Sequence, residues 1–298
     1  MNTAEMTARI AEGKGFIAAL DQSGGSTPKA LYGYGIEEGA WSSDEEMFDL
    51  IHQMRVRIIS APAFASGKVI AAILFERTMD GQANGRPVPQ ALHDIGVVPL
   101  IKIDKGLEAE ANGVQLMKPI PGLDDLLARG AALGMFGTKE RSFVNLANRE
   151  GIAAIVKQQF EIAQQVLGHG LVPIIEPEVN IKSPERAQCD AILVDELTKA
   201  LDAMAGDAKV MLKLSLPAEP NLYLPLTRHP RVLHVVALSG GYSRTDACAE
   251  LAKNEGVIAS FSRALLEDLR YRMSDAEFDA ALAEAIDEIY AASVNKAA

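Results

Sequence analysis

The sequence predicts an α/β protein, a (β/α)8 TIM barrel forming a single domain over residues 1–298, on three observations. Short apolar, β-branched runs alternate with longer helical patterns along the whole chain. There are eight such runs in 298 residues, which favours a closed barrel over an open sheet. Charged residues collect at the C-terminal ends of these runs, where barrel enzymes assemble their sites from several strands at once.

In chain order the expected strands are FIAALD (16–21), VIAAILF (69–75), VVPLIKID (97–104) and AALGMFGTK (131–139), then LVPIIEPEV (171–179), KVMLKLSLP (209–217), VLHVVALSGG (232–241) and GVIASFSR (256–263). The fourth is the weakest, holding two glycines and few β-branched residues. Helix starts stand between them. Ser43 with Glu46, and Ser274 with Glu277, have capping-box spacing. Ser183–Pro184–Glu185 offers an N-cap, a proline at the first helical position and an acid for the helix dipole. In the last segment Phe278, Leu282, Ile286 and Ile289 recur at helical spacing and give one apolar face.

Composition narrows the class. With 48% hydrophobic and 23% charged residues, the chain reads as an ordinary globular protein with length for a large core. Its net charge of −11 argues against a general nucleic-acid binder, though a local phosphate site is compatible with it. The first fifteen residues carry charge throughout and lack a signal-peptide h-region. No apolar run approaches the roughly 18 residues of a membrane span. Cys189 and Cys248 stand far apart without metal spacing, and two structural thiols in a reducing, cytoplasmic setting are expected.

Lys213, inside the apolar run VMLKLSLP, raises the functional question, because lysine is seldom buried unless paired. Met211, Lys213 and Ser215 share one strand face, as do Lys102 with Asp104 and Glu176 with Glu178. If those faces line the barrel, the ends of the strands present Asp21, Lys102, Asp104, Lys139, Glu176, Glu178, Lys213, Ser239 and Arg263 to one space. Desolvation and the like charge of Lys139 and Arg263 would then disfavour the ammonium form of Lys213 and free its amine to attack a carbonyl. A lysine merely paired with Glu176 is the structural alternative.

Two phosphate grips are expected around that amine. LSGGYS (238–243) brings Ser239, Gly240 and Gly241 after the seventh strand, and FSR (261–263) brings Arg263 after the eighth. On the other side, DQSGGS (21–26) supplies Ser23 and Ser26, joined by the cations of Lys102 and Arg141. Two grips flanking an amine suggest a bisphosphorylated carbonyl substrate. The histidines His52, His93, His169, His229 and His234 show no HExxH or Cys/His pattern, so no metal is expected. GYGIEEG (33–39) lacks the preceding strand and the spacing of a dinucleotide loop.

The motifs ALDQSGGSTPKAL, AAILFERTM, IKIDKG, NGVQLMKPI, LVPIIEPEV, VMLKLSLP, ALSGGYSR and ASFSRAL occur in an order and register that resembles the class I fructose-bisphosphate aldolases of the shorter bacterial kind. The resemblance runs over essentially the whole chain. It implies a (β/α)8 barrel that cleaves fructose 1,6-bisphosphate reversibly to dihydroxyacetone phosphate and glyceraldehyde 3-phosphate, without metal, in glycolysis and gluconeogenesis. By the same resemblance Lys213 is the Schiff-base lysine and Glu176 the acid/base for carbinolamine dehydration. Asp21 takes the C4 hydroxyl proton, Lys139 disfavours the nucleophile's ammonium form and orients substrate, and Glu178 balances the cluster's charge. Ser239, Gly240, Gly241 and Arg263 would hold the ketone-side phosphate; Ser23, Ser26, Lys102 and Arg141 the aldehyde-side one.

Two features depart from the longer animal-type enzymes. Their C-terminal tyrosine has no equivalent, since Tyr290 falls inside an expected helix, and WSSDEEMF (41–48) is acidic where they carry arginines. The enamine-protonating group is therefore unassigned, and a ketose epimer such as tagatose 1,6-bisphosphate stands as the alternative substrate. A non-catalytic phosphosugar-binding scaffold would be expected to lack Lys213, Glu176 or Asp21, and all three are present. Partners are expected to be sugar bisphosphates and triose phosphates, with no nucleic acid or membrane; homo-oligomerisation is left open.

Overall fold

All eight expected strands are present, and they close on themselves. The structure, a computed structural model, describes residues 1–37 and 39–297. The barrel strands are β1 Phe16–Leu20, β2 Val69–Leu74, β3 Val98–Lys102, β4 Gly137–Val144, β5 Val172–Val179, β6 Val210–Ser215, β7 Val232–Leu238 and β8 Val257–Phe261. Each pairs in parallel with its sequence neighbours, and β1 with β8 completes the ring. Helices cover the outside, so strands such as β1 and β2 are buried at every residue. That double burial is why they read as continuous apolar runs rather than alternating ones.

The barrel interior is filled from below by Ile17, Val98, Leu100, Ile174, Met211, Val236 and Ile258. Helix Thr3–Glu12 plugs the N-terminal mouth, adding Met6 and Ile10 to that cluster. Its start is set by a full capping box, Asn2 with Glu5. The last helix, Asp275–Val294, also opens on a full box, Ser274 with Glu277, and buries Phe278, Leu282, Ile286 and Ile289 as its spacing required. Each such side chain contributes about 1.5–3 kcal/mol on burial. Ser43 does cap helix Asp44–Ser60 by accepting from the Glu46 N–H, but the Glu46 carboxylate turns to Ser42, so only half of that box forms.

Two expectations are corrected. The fourth strand does not span 131–139: residues 131 and 132 end helix Leu123–Ala132, and the strand runs on to Val144. It begins on Gly137 because a Cβ there would lie 1.9 Å from the Val172 carbonyl oxygen, and it continues through Lys139–Glu140–Arg141–Ser142, a polar run that hydropathy does not mark as a strand. The helix after β5 starts at Arg186, with Glu185 rather than Ser183 at its N-cap. Ser183 Oγ instead donates to the Asn145 carbonyl, while Arg186 pins the first turn by bonding Asp190 and the Leu216 carbonyl.

The segment 33–39 follows a helix, Ser26–Gly33, in keeping with its rejection as a dinucleotide loop; its Glu38 lies outside the described residues. Tyr290 lies within the last helix, its ring 5.8 Å from Lys68 Nζ. Cys189 and Cys248 are free and buried. Among the described residues no helix is long and apolar enough to cross a membrane.

Candidate active site

At the C-terminal mouth of the barrel lies a cavity of about 1020 Å³. Twelve of the thirteen residues singled out from the sequence line it: Asp21, Ser23, Ser26, Lys102, Lys139, Arg141, Glu176, Glu178, Lys213, Ser239, Gly240 and Arg263. The thirteenth, Gly241, adjoins it; a Cβ there would sit 3.8 Å from Arg263 Nη2.

Inward-facing positions on adjacent strands place the charges in alternation. Lys213 Nζ on β6 lies 3.0 Å from Glu176 Oε1 on β5. The other oxygen, Glu176 Oε2, lies 2.9 Å from Lys139 Nζ on β4. Lys139 in turn lies 2.7 Å from Asp21 Oδ2, just past β1 and across the barrel, and 4.0 Å from Asp104 Oδ2. Asp104 is held by Lys102 at 2.7 Å. Lys139, Lys213, Glu176, Asp21 and Asp104 are all buried.

The field follows from these contacts. Burial alone would raise the Asp21 carboxyl, but Lys139, Lys213 and Lys102 outweigh it and hold it well below the ordinary carboxylate range. Burial also opposes the charged form of Lys139, yet Asp21, Glu176 and Asp104 together hold its ammonium well above the ordinary lysine range. Lys102 is shifted the other way, downwards, by burial despite Asp104 beside it. Glu140 points out of the barrel between Lys139 and Arg141; burial, reinforced by Asp104, pushes its carboxyl well above the usual range.

The phosphate candidates include the loop after β1 and the loops after β7 and β8, which adjoin it because β1 pairs with β8. Ser23 N–H donates to Ser26 Oγ at 3.0 Å, and Ser26 Oγ donates back to the Ser23 carbonyl at 2.9 Å, which closes the loop after β1. After β7, Gly240 and Gly241 take φ of 61° and 110°, and a Cβ on Gly240 would press to 2.8 Å from Ile181, so glycine is required there. Arg263 opens the short helix Arg263–Leu266 after β8; it is exposed and makes no hydrogen bond or ion pair among the described residues.

The fold and this constellation set the context for the family comparison. The sequence model described as "Fructose-bisphosphate aldolase class-I" matches residues 2–231. The chain belongs to the class I fructose-bisphosphate aldolases. A solved fructose-bisphosphate aldolase from Plasmodium falciparum, in complex with TRAP and a small-molecule inhibitor, is similar in fold. Its TM-score is 0.79 at 19% identity, over 99% of this chain and 96% of that one.

In this class I aldolase the structure extends the sequence reading at several positions. Glu178, expected to balance the cluster's charge, holds Arg141 at 2.9 Å, and burial raises its carboxyl despite that cation. Asp104 was visible only as a strand-end acid, yet it joins Lys102 to the cluster; its i, i+2 spacing from Lys102 was the available signal. Gln22 and the buried Arg55 were missed altogether, and nothing local in the sequence marks either. Among the described residues no histidine lines the cavity, and His234 is half-buried at the opposite mouth, where a Cβ on Gly13 would touch its ring. Among the described residues no group of three or more His, Cys, Asp or Glu side chains is placed to hold a metal ion.

Proposed function

We propose that residues 1–298 act as one barrel domain cleaving fructose 1,6-bisphosphate reversibly to dihydroxyacetone phosphate and glyceraldehyde 3-phosphate. The route is a Schiff base on Lys213 without a metal, in cytoplasmic central carbon metabolism. One observation carries the reading: Lys213 is a buried amine that opens into a cavity and must share the single carboxylate Glu176 with a second ammonium, Lys139. Lys139 has Asp21 as well and keeps its proton; Lys213 has the weaker claim on negative charge.

In this scheme Lys213 Nζ attacks the C2 ketone. Glu176, in contact with Nζ, moves the protons as the carbinolamine loses water. Asp21 takes the C4 hydroxyl proton while the C3–C4 electron pair flows into the protonated imine. The Lys139 contact keeps Asp21 anionic but weakens it as a base; passing that contact to a substrate hydroxyl would restore the basicity at the moment it is needed. Ser239, Gly240, Gly241 and Arg263 would hold the ketone-side phosphate, and Ser23, Ser26, Lys102 and Arg141 the other.

Borohydride trapping with dihydroxyacetone phosphate in excess EDTA, followed by peptide mass mapping, tests the mechanism. A stable adduct on Lys213 is expected. No adduct, with cleavage abolished by EDTA and restored by a divalent ion, would make Lys213 a structural cation. Relative kcat/KM for fructose and tagatose 1,6-bisphosphates decides the epimer.

Arg263→Ala gives an independent check. Because the side chain is exposed and without protein partners, its loss should change stability by less than about 0.5 kcal/mol. Losing charge-assisted phosphate contacts of about 1.5–3 kcal/mol should raise KM about 10- to 150-fold for substrates with a ketone-side phosphate. Unphosphorylated ketoses should be almost unaffected; equal losses for both would mean Arg263 is structural.

A further inference from the structure

Helix Asp44–Ser60 sends a fully buried arginine to the floor of the loop after β1, and the reaction scheme leaves it without a task. Arg55 is 1% exposed and has no carboxylate at ion-pair distance among the described residues. Its Nη1 donates to Thr78 Oγ1 at 2.9 Å, its Nη2 donates to the Gln22 carbonyl oxygen and, at 3.4 Å, to Gln22 Oε1, and its Nε has no partner. A buried guanidinium without a counter-ion is costly. Burial draws its pKa down to about 10, and the carboxylate that opposes this shift is Asp21, the residue before Gln22.

Gln22 carries the contact onward. It is buried at the rim of the cavity, and its side-chain Nε2 donates to Ser262 Oγ at 2.6 Å and to the Ala19 carbonyl at 3.2 Å. Ser262 directly precedes Arg263, whereas Gln22 directly precedes Ser23. One amide thus ties the neighbouring loops after β1 and β8, each of which carries residues of a different phosphate grip, and a buried cation on a third element holds Gln22 at both its main-chain and side-chain oxygens. The arrangement is rigid where a two-ended ligand needs it: engaging both ends together gains affinity only when their spacing matches the ligand. A misplacement of about 1 Å in such a site can cost about 10²-fold.

We propose that Gln22, held by Arg55, is a positioning crossbar that sets the distance between the two phosphate grips and thereby selects ligands carrying two phosphates. The inference rests on the bisphosphate reading above, and it concerns spacing rather than chemistry.

Calorimetric binding of hexitol 1,6-bisphosphate and of inorganic phosphate separates the cases without requiring turnover. The wild type should bind the bisphosphate far more tightly than phosphate. Gln22→Met, which keeps the side-chain length but removes the amide's three hydrogen bonds, should reduce that Kd ratio about 10-fold or more, with phosphate affinity changing much less. Arg55→Lys, which keeps the charge but cannot bond Thr78 and Gln22 together, should show a smaller loss of the same kind. Urea midpoints taken alongside identify a variant that has merely unfolded, and Arg55→Lys is the conservative change if a larger one at that position does not fold. A wild type with no preference for two phosphates would overturn the bisphosphate reading itself. A normal wild-type preference that survives in Gln22→Met, or that falls only because phosphate binding falls equally, would overturn the crossbar.

Discussion

Replacing Lys213 with alanine should abolish borohydride-trappable capture of dihydroxyacetone phosphate and lower kcat/KM by about 10⁴-fold or more, as expected for removal of a covalent nucleophile. The fold should survive, because Glu176 keeps Lys139 at 2.9 Å and is not stranded without a cation. That retained contact is what makes the variant informative. A Lys213→Ala protein that unfolds at the wild-type urea midpoint and still cleaves at the wild-type rate would remove Lys213 from the chemistry. One that no longer folds would instead favour the structural pairing with Glu176, the alternative that the 3.0 Å contact also admits. Lys213→Arg separates these cases: it keeps a cation for Glu176 but offers no amine, so it should fold and fail to trap.

Lys139→Met should be the most destabilising single change in the site. Lys139 is 3% exposed and stands between Asp21 and Glu176; Glu176 keeps Lys213 at 3.0 Å, but the variant strands the buried Asp21, a loss of about 3–5 kcal/mol. The pH dependence follows from the two shifts. Asp21, held below its ordinary 3.8, contributes stability that is fully present above that value and lost as pH falls through its still lower folded pKa. Lys139, held above its ordinary 10.5, contributes stability that is fully present below that value and lost as pH rises through its higher folded pKa. Between these limits the wild-type pair should be insensitive to pH. In Lys139→Met the stranded Asp21 loses its paired cation, and protonation relieves it. The gap between the two proteins in urea unfolding should therefore be largest near neutrality and narrow towards pH 5. A constant gap, or one under about 1 kcal/mol, would show that Lys213 and Lys102 carry the charge balance without Lys139.

The legible part of this protein lies in features with a local signature. β1, β2 and β5 announce themselves because both of their faces are buried, and the lysine within VMLKLSLP stands out against the hydrocarbon around it. β4 was placed too early because its start must be a glycine beside the Val172 carbonyl and its remainder is polar. The partner of Glu178 was not legible because it depends on inter-strand register. Arg141 is level with Glu176 along the β4–β5 ladder, yet its side chain leans one step further to Glu178 and leaves Glu176 to the lysines.

The sequence by itself therefore determined that eight parallel strands would close and that their charged ends would meet at one mouth, because burial periodicity and strand-end composition are written within a few residues of each other. It also singled out which residues would face the cavity, since parity along a strand decides facing. Only the tertiary structure decided which cation holds which carboxylate and that Arg55 and Gln22 tie the loops after β1 and β8 together. The Arg55–Gln22 and Gln22–Ser262 contacts join residues 33 and 240 positions apart, and the tertiary fold sets their distances rather than any property of the neighbouring chain.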